Sequence, residues 1–142
     1  MINKVLTLAL LVTLLTSTAF AQRNMDENVF WTLEITNTGD LQTFTELMND
    51  MVAATQANEP DTLNYEWSVA EDGETFYLFE RYKDSAAVMT HLANFGENFA
   101  ERFNAIAVPK RLIVYGSPSD EVKEAIAGFS PVYVGAFGGF AR

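Results

Sequence analysis

No cysteine occurs in the 142 residues. That removes a disulfide framework, a thiolate metal site and a lipid-modified cysteine. Histidine occurs once, at His91, so any imidazole chemistry rests on that residue. With neither Cys nor a second His, a metal site would have to be built from carboxylates, and no ligand spacing of that kind occurs. Basic residues are scarce as well, nine Lys and Arg against nineteen Asp and Glu. Nucleic acid and anionic membrane surfaces repel a chain of that balance.

Charge is missing from one long run. Met1 to Lys4 carries a single positive charge, Val5 to Phe20 is apolar and uncharged, and Ala19-Phe20-Ala21 leads into the polar Gln22 to Asn28. These are the three parts of a secretory signal with an A-x-A cleavage site. The run is shorter than the ~20 residues of a membrane-spanning helix. Residues 1–21 are therefore expected to be removed, with 22–28 as a short linker. Without Lys4, eight basic residues face nineteen acidic ones, a net charge of −11. About 120 residues remain, enough for one domain with a core of its own. The expectation is a soluble periplasmic protein with no stable membrane insertion.

Val29 to Thr36 is β-branched and aromatic, a strand. Asp40 is placed to cap a helix whose apolar residues, from Leu41 to Val52, recur at helical spacing until Pro60 forbids continuation. Leu63, Tyr65, Trp67 and Val69 alternate with Asn64, Glu66, Ser68 and Ala70, a second strand. Asp72-Gly73 signals a hairpin into the strand Thr75 to Tyr82. Asp84 caps a helix carrying Val88, Leu92, Phe95, Phe99 and Phe103, with Gly96 a candidate break. Arg111 to Tyr115 is a strand and Ser119 to Ile126 a short helix capped by Ser117 or Ser119. Pro131 to Phe140 reads either as an edge strand or as an ordered arm docked by its aromatics.

The order β-α-β-β-α-β predicts a ferredoxin-like α+β fold, an antiparallel sheet with helices on one face. The strand Thr75 to Tyr82 is apolar on both faces, with Phe76 and Leu78 on one and Tyr77 and Phe79 on the other. A sheet covered on one side should be polar on its wet side. A second copy of the chain is the expected cover, giving a homodimer with two sheets face to face.

Three segments carry a resemblance. These are Glu59 to Trp67, Glu71 to Tyr82 and Asp84 to Leu92, with Tyr65 and Trp67, Glu80-Arg81-Tyr82, Ala86 and His91 at the pattern positions. They resemble the antibiotic biosynthesis monooxygenase family over residues 29–116, leaving 117–142 as an appended helix and an aromatic, glycine-containing arm. The resemblance implies a dimeric α+β barrel. It also implies an oxygenase of aromatic or quinol molecules with no cofactor, or a haem-degrading enzyme. The haem-degrading pattern needs an Asn on the first strand, a Trp in the second helix and a His near that helix's end. Val29 to Thr36 has no Asn, His91 stands where the Trp belongs, and Asn98 to Phe103 has no His. The sequence departs from that branch.

His91 lies three residues after Val88 and four before Phe95, on the sheet-facing side of its helix. It is the candidate catalytic base. A buried structural histidine is the competing reading. Glu80 and Arg81 point to opposite faces of their strand. Glu80 shares its face with Phe76, Leu78 and Tyr82 and needs a partner, for which Arg111 is the candidate. Glu80 then either lines a substrate cavity or fixes the sheet through an ion pair. Trp31, Tyr65 and Trp67 are candidate walls for a flat aromatic substrate, or else ordinary core. Two functions stay open. One is a cofactor-independent monooxygenase using His91, with Trp31, Tyr65, Trp67, Glu80 and Arg111 as substrate contacts. The other is a non-catalytic dimeric barrel that binds a small apolar ligand or a protein.

Overall fold

The computed structural model describes residues 28–139. The signal-peptide reading of residues 1–21, most of the 22–28 linker and Phe140 lie outside the described residues.

Strand β1 (Val29–Asn37) leads into helix α1 (Leu41–Asn58), which Asp40 caps by accepting from the Thr43 N–H at 2.8 Å. Strands β2 (Thr62–Val69) and β3 (Thr75–Tyr82) form the hairpin. Gly73 turns at a φ of 72°, and Asp72 accepts from the Glu74 and Thr75 N–H groups. Helix α2 (Ser85–Asn98) starts on an Asp84 cap, and helix α3 (Ala100–Ile106) follows at once. The break between them falls at Phe99, three residues beyond Gly96. Strand β4 (Ala107–Gly116) is twice as long as the apolar run suggested. Its extra length includes Pro109 at a register shift opposite Glu34 and Ile35, where a missing N–H is tolerated. Helix α4 (Asp120–Ala125), capped by Ser119, then a 3-10 turn (Ala127–Phe129) and strand β5 (Val132–Val134) complete the chain.

The sheet order is β2-β3-β1-β4-β5. The first four strands pair antiparallel, the ferredoxin-like arrangement expected, and β5 joins β4 in parallel. The tail is thus an edge strand, held by its backbone. Phe137 is fully exposed, so the expected docking of the arm by its aromatics is not seen at that residue.

Alternation splits the side chains between two faces. Val29, Trp31 and Ile35 of β1, Phe76, Leu78, Glu80 and Tyr82 of β3, and Leu112 and Val114 of β4 are buried under the helices. Two apolar clusters lie there. One gathers Val29, Trp31, Tyr82, Val88, Val114, Val122 and Ile126, and the other Ile35, Phe44, Leu47, Met51, Phe76, Leu78 and Phe103. Leu33 touches both.

The opposite face carries Phe30, Tyr77, Phe79, Ile113 and Tyr115. Phe30 stacks on Tyr115 at 4.9 Å and meets Phe79 edge-on at 6.3 Å. No element of the chain covers this face among the described residues. None of their helices is long and apolar enough to cross a membrane.

Candidate active site

A cavity of about 120 Å³ lies between the sheet and the helices. Its floor is two adjacent rows of cross-strand neighbours. Tyr65, Glu80 and Trp31 are in register in one row. Trp67, Leu78, Leu33 and Leu112 are in register in the next, which crosses four strands. His91, Leu92 and Phe95 of α2 form the roof, Met51 of α1 and Phe103 of α3 add to it, and Ile126 and Phe129 close the β4 side. Nearly all of this surface is carbon. The ionisable exceptions are His91, Glu80 and the Tyr65 hydroxyl.

Those polar groups belong to a buried chain. His91 Nδ1 faces Glu59 Oε2 at 2.8 Å, and His91 Nε2 lies 3.8 Å from Glu80 Oε2. The Tyr82 hydroxyl donates to the same Glu80 oxygen. Glu59 also accepts from Thr62 Oγ1 at 2.8 Å and from Asn94 Nδ2 at 3.2 Å. Glu59, Glu80 and His91 are 6 %, 3 % and 6 % exposed, so their charges act with little water between them. Tyr65 and Tyr82 flank the imidazole, with ring centroids 5.5 and 5.4 Å away, which favours a positive charge on it.

The three groups titrate as a set. Burial pushes His91 down. The charge of Glu80 and the hydrogen bond and charge of Glu59 outweigh that, so the imidazole is held above its ordinary value. Burial pushes Glu59 up. The hydrogen bond and charge of His91, with the bonds from Thr62 and Asn94, leave it below the ordinary glutamate value. Burial raises Glu80, and there the charge of His91 and the bonds from Tyr82 and Trp31 do not cancel it. Burial, with the charges of Glu80 and Glu59, also lifts the Tyr65 phenol far above its usual range. The surroundings therefore favour the protonated imidazole facing an ionised Glu59, and make the Glu80 carboxyl beside it easier to protonate than an exposed one.

Of the residues singled out in the sequence, Trp31, Tyr65, Trp67, Glu80 and His91 meet in this cavity. Arg111 does not. It pairs in register with Glu34 on the opposite face and is exposed, because Leu112 and Val114 take the helix-facing positions of β4. Glu80 finds its partners in Tyr82 and His91 instead. Sequence reasoning missed Glu59, Tyr82, Ile126 and Phe129. Glu59 left a trace: an acidic residue at a helix C-terminus opposes the helix dipole, a local conflict that marks a residue held for another reason. Glu59 and Glu80 lie against opposite edges of the imidazole, so these donors cannot converge on one ion. No group of ligating side chains able to hold a metal occurs among the described residues.

Fold and cavity together define an α+β protein of the ferredoxin-like class with an acid–base group enclosed between its sheet and helices. The antibiotic biosynthesis monooxygenase profile matches residues 23–107, and the chain belongs to that family. No curated protein matches it in sequence. Among solved structures, MupZ from Pseudomonas fluorescens is similar at a TM-score of 0.71 and 21% identity, over 82% of this chain and 95% of that one. SnoaB, a cofactor-independent oxygenase from Streptomyces nogalater, gives a TM-score of 0.56 and 17% identity, over 66% of this chain and 95% of that one. Rv0793 from Mycobacterium tuberculosis gives 0.55 and 21%, over 66% and 96%. These likenesses establish the shared fold.

Proposed function

We propose that this protein is a monooxygenase that uses no cofactor and acts on an aromatic or quinol-type small molecule. The carrying observation is the placement of Glu80 and His91 together in a cavity whose only other ionisable group is the Tyr65 hydroxyl. Family membership and the likeness to SnoaB support the reading. The substrate's acidic O–H or ring C–H gives its proton to Glu80. The His91 imidazolium steadies the anion that forms, in a medium where charge–charge attraction is strong. The anion passes electrons to molecular oxygen and a carbon–oxygen bond forms. The resulting hydroperoxide regains the proton and loses water, leaving a carbonyl. One oxygen atom ends in the product and one in water, with the substrate supplying both electron pairs. Acid–base work is thus assigned to the Glu80–His91 pair, with Glu59 holding the imidazole in place.

Oxygen uptake by the purified protein with a panel of quinols and anthrones tests this, comparing wild type with Glu80→Gln and His91→Gln. Positioned acid–base groups contribute about 10²- to 10⁴-fold, so uptake should fall by that order in either variant. Uptake untouched by both substitutions would leave the oxygenase standing and remove the pair from it. No uptake with any substrate would favour the non-catalytic ligand-binding barrel.

Two further parts of the reading concern the whole chain. Residues 1–21 direct export, so that the mature protein works in the periplasm, and the mass of the protein recovered from that compartment should begin at Gln22. Two copies associate through the aromatic outer face of the sheet.

A further inference from the structure

The cavity is a slot with a direction. Its longer floor row runs Trp67, Leu78, Leu33, Leu112 from β2 to β4, three interstrand steps or about 14 Å. The ionisable groups occupy one half, Tyr65 on β2 and Glu80 on β3, with His91 above them. The other half, toward β4, is lined only by apolar side chains and ends at Ile126 and Phe129. From Glu80 on β3 to the β4 end is two steps, about 10 Å.

That end wall is built outside the residues the family profile matches, which stop at 107. It is firmly held. Ser119 caps α4 by accepting from the Val122 N–H, and its own N–H donates to Ser85 Oγ at 2.9 Å. Val122 and Ile126 are 0% and 1% exposed in the core. Phe129 differs: it lines the cavity yet is 44% exposed, so its ring stands between the slot and solvent.

We propose that the C-terminal segment Asp120–Phe129 is a length gauge for the ligand, with Phe129 as the residue that determines specificity. The ligand that fits a cavity of about 120 Å³ is a small flat aromatic of one or two rings with its one ionisable group at one end. That group sits at Glu80 and His91, and Phe129 limits how far the ring body extends. The inference rests on the proposed aromatic substrate class, but it concerns binding and needs no turnover.

Both tryptophans of the chain, Trp31 and Trp67, lie in the slot floor, so quenching of their fluorescence reports occupancy. The test titrates wild type, Phe129→Ala, Ile126→Val and the exposed control Phe137→Ala with phenol and hydroxyarenes of two and three linearly fused rings. Oxygen is excluded so that chemistry cannot intervene, and thermal melts confirm folding. Phe129→Ala should raise the affinity ratio of the three-ring to the one-ring probe about tenfold. Ile126→Val should shift it the same way by two- to threefold, and Phe137→Ala should leave it unchanged. A ratio unmoved by Phe129→Ala, or no quenching of wild type by any probe, overturns the inference. Binding that behaves as expected without oxygen uptake in the earlier assay would overturn the oxygenase and leave the gauge.

Discussion

His91 titrates between two carboxylates that are shifted in opposite directions. Its folded value lies above the unfolded value of 6.5, so the stability it contributes is complete below that pH and is lost as pH rises through the folded value. Glu80 is also raised, so its contribution too fades as pH rises from 4.5. Glu59 is lowered, so its contribution is present above 4.5 and is lost as pH falls through its folded value. The melting temperature should therefore decline as pH rises above 6.5 and should also drop in strong acid, where Glu59 takes up its proton. His91→Gln should flatten the alkaline decline, which a pH series of melts will show; a wild-type melting temperature that rises through this window would contradict the assignment. Because His91 is the only histidine, its ring proton signal can be followed alone by NMR. Glu59→Gln and Glu80→Gln should each lower its midpoint. An unmoved midpoint in Glu59→Gln would break the dyad. Removing the carboxylate as Glu59→Ala should cost about 3–5 kcal/mol, the usual penalty for leaving one member of a buried pair behind. Half of this site was legible in the sequence. The alternation in β2 and β3 and the helical spacing around His91 determine which side chains face inward, so Tyr65, Trp67, Glu80 and His91 could be read. Arg111 was misassigned because the phase of β4 is set by packing of Leu112 and Val114. Glu59 sits in a connection with no periodicity to place it.

Among the elements, two glycines should respond oppositely to alanine. Gly96 lies inside α2 with open space around it. Gly96→Ala should stabilise the protein by about 0.5–1 kcal/mol, the ordinary helix-interior difference, seen as a rise in denaturant midpoint. Gly116 ends β4 at a φ of 84°, where an added Cβ would collide with the Asn28 carbonyl. Gly116→Ala should destabilise by about 1–3 kcal/mol or more. If Gly96→Ala destabilised instead, the continuous helix to Asn98 would be wrong and a break at Gly96 restored. Caps and turns were readable because each has local chemistry: Asp40, Asp84 and Ser119 each accept from the N–H group three residues further on. The break falls at Phe99 and not at Gly96 because glycine weakens a helix without ending it; Phe99 leaves helical geometry at a φ of −131° and packs against the second cluster. The parallel docking of β5 depends on α4 and the 3-10 turn returning the chain to the β4 edge, which no local pattern encodes.

For the molecule as a whole, the unresolved demand is the outer face of the sheet. Phe30, Phe79 and Tyr115 cover one another there, and Tyr77 is 44% exposed, with no helix of the described residues above them. Apolar area of this kind is stabilised by removal from water at about 25 cal/mol per Å², and a standard interface removes about 800 Å² from each partner. Opposing this, each chain carries a net charge of −10 by composition. Two such chains repel over the ~10 Å screening length of 0.1 M salt and over longer distances in dilute buffer. The competition has a definite sign. Sedimentation should show a dimer at micromolar concentration, and its dissociation constant should fall as salt is raised from 0.02 to 0.5 M. Phe79→Lys places a charge in the centre of the aromatic patch and points away from the cavity, so it should yield a folded monomer that still binds hydroxyarenes in the slot. A monomeric wild type would remove this face as the interface. A Phe79→Lys dimer of unchanged affinity would move the contact elsewhere, because a lysine in that patch could be buried only at several kcal/mol.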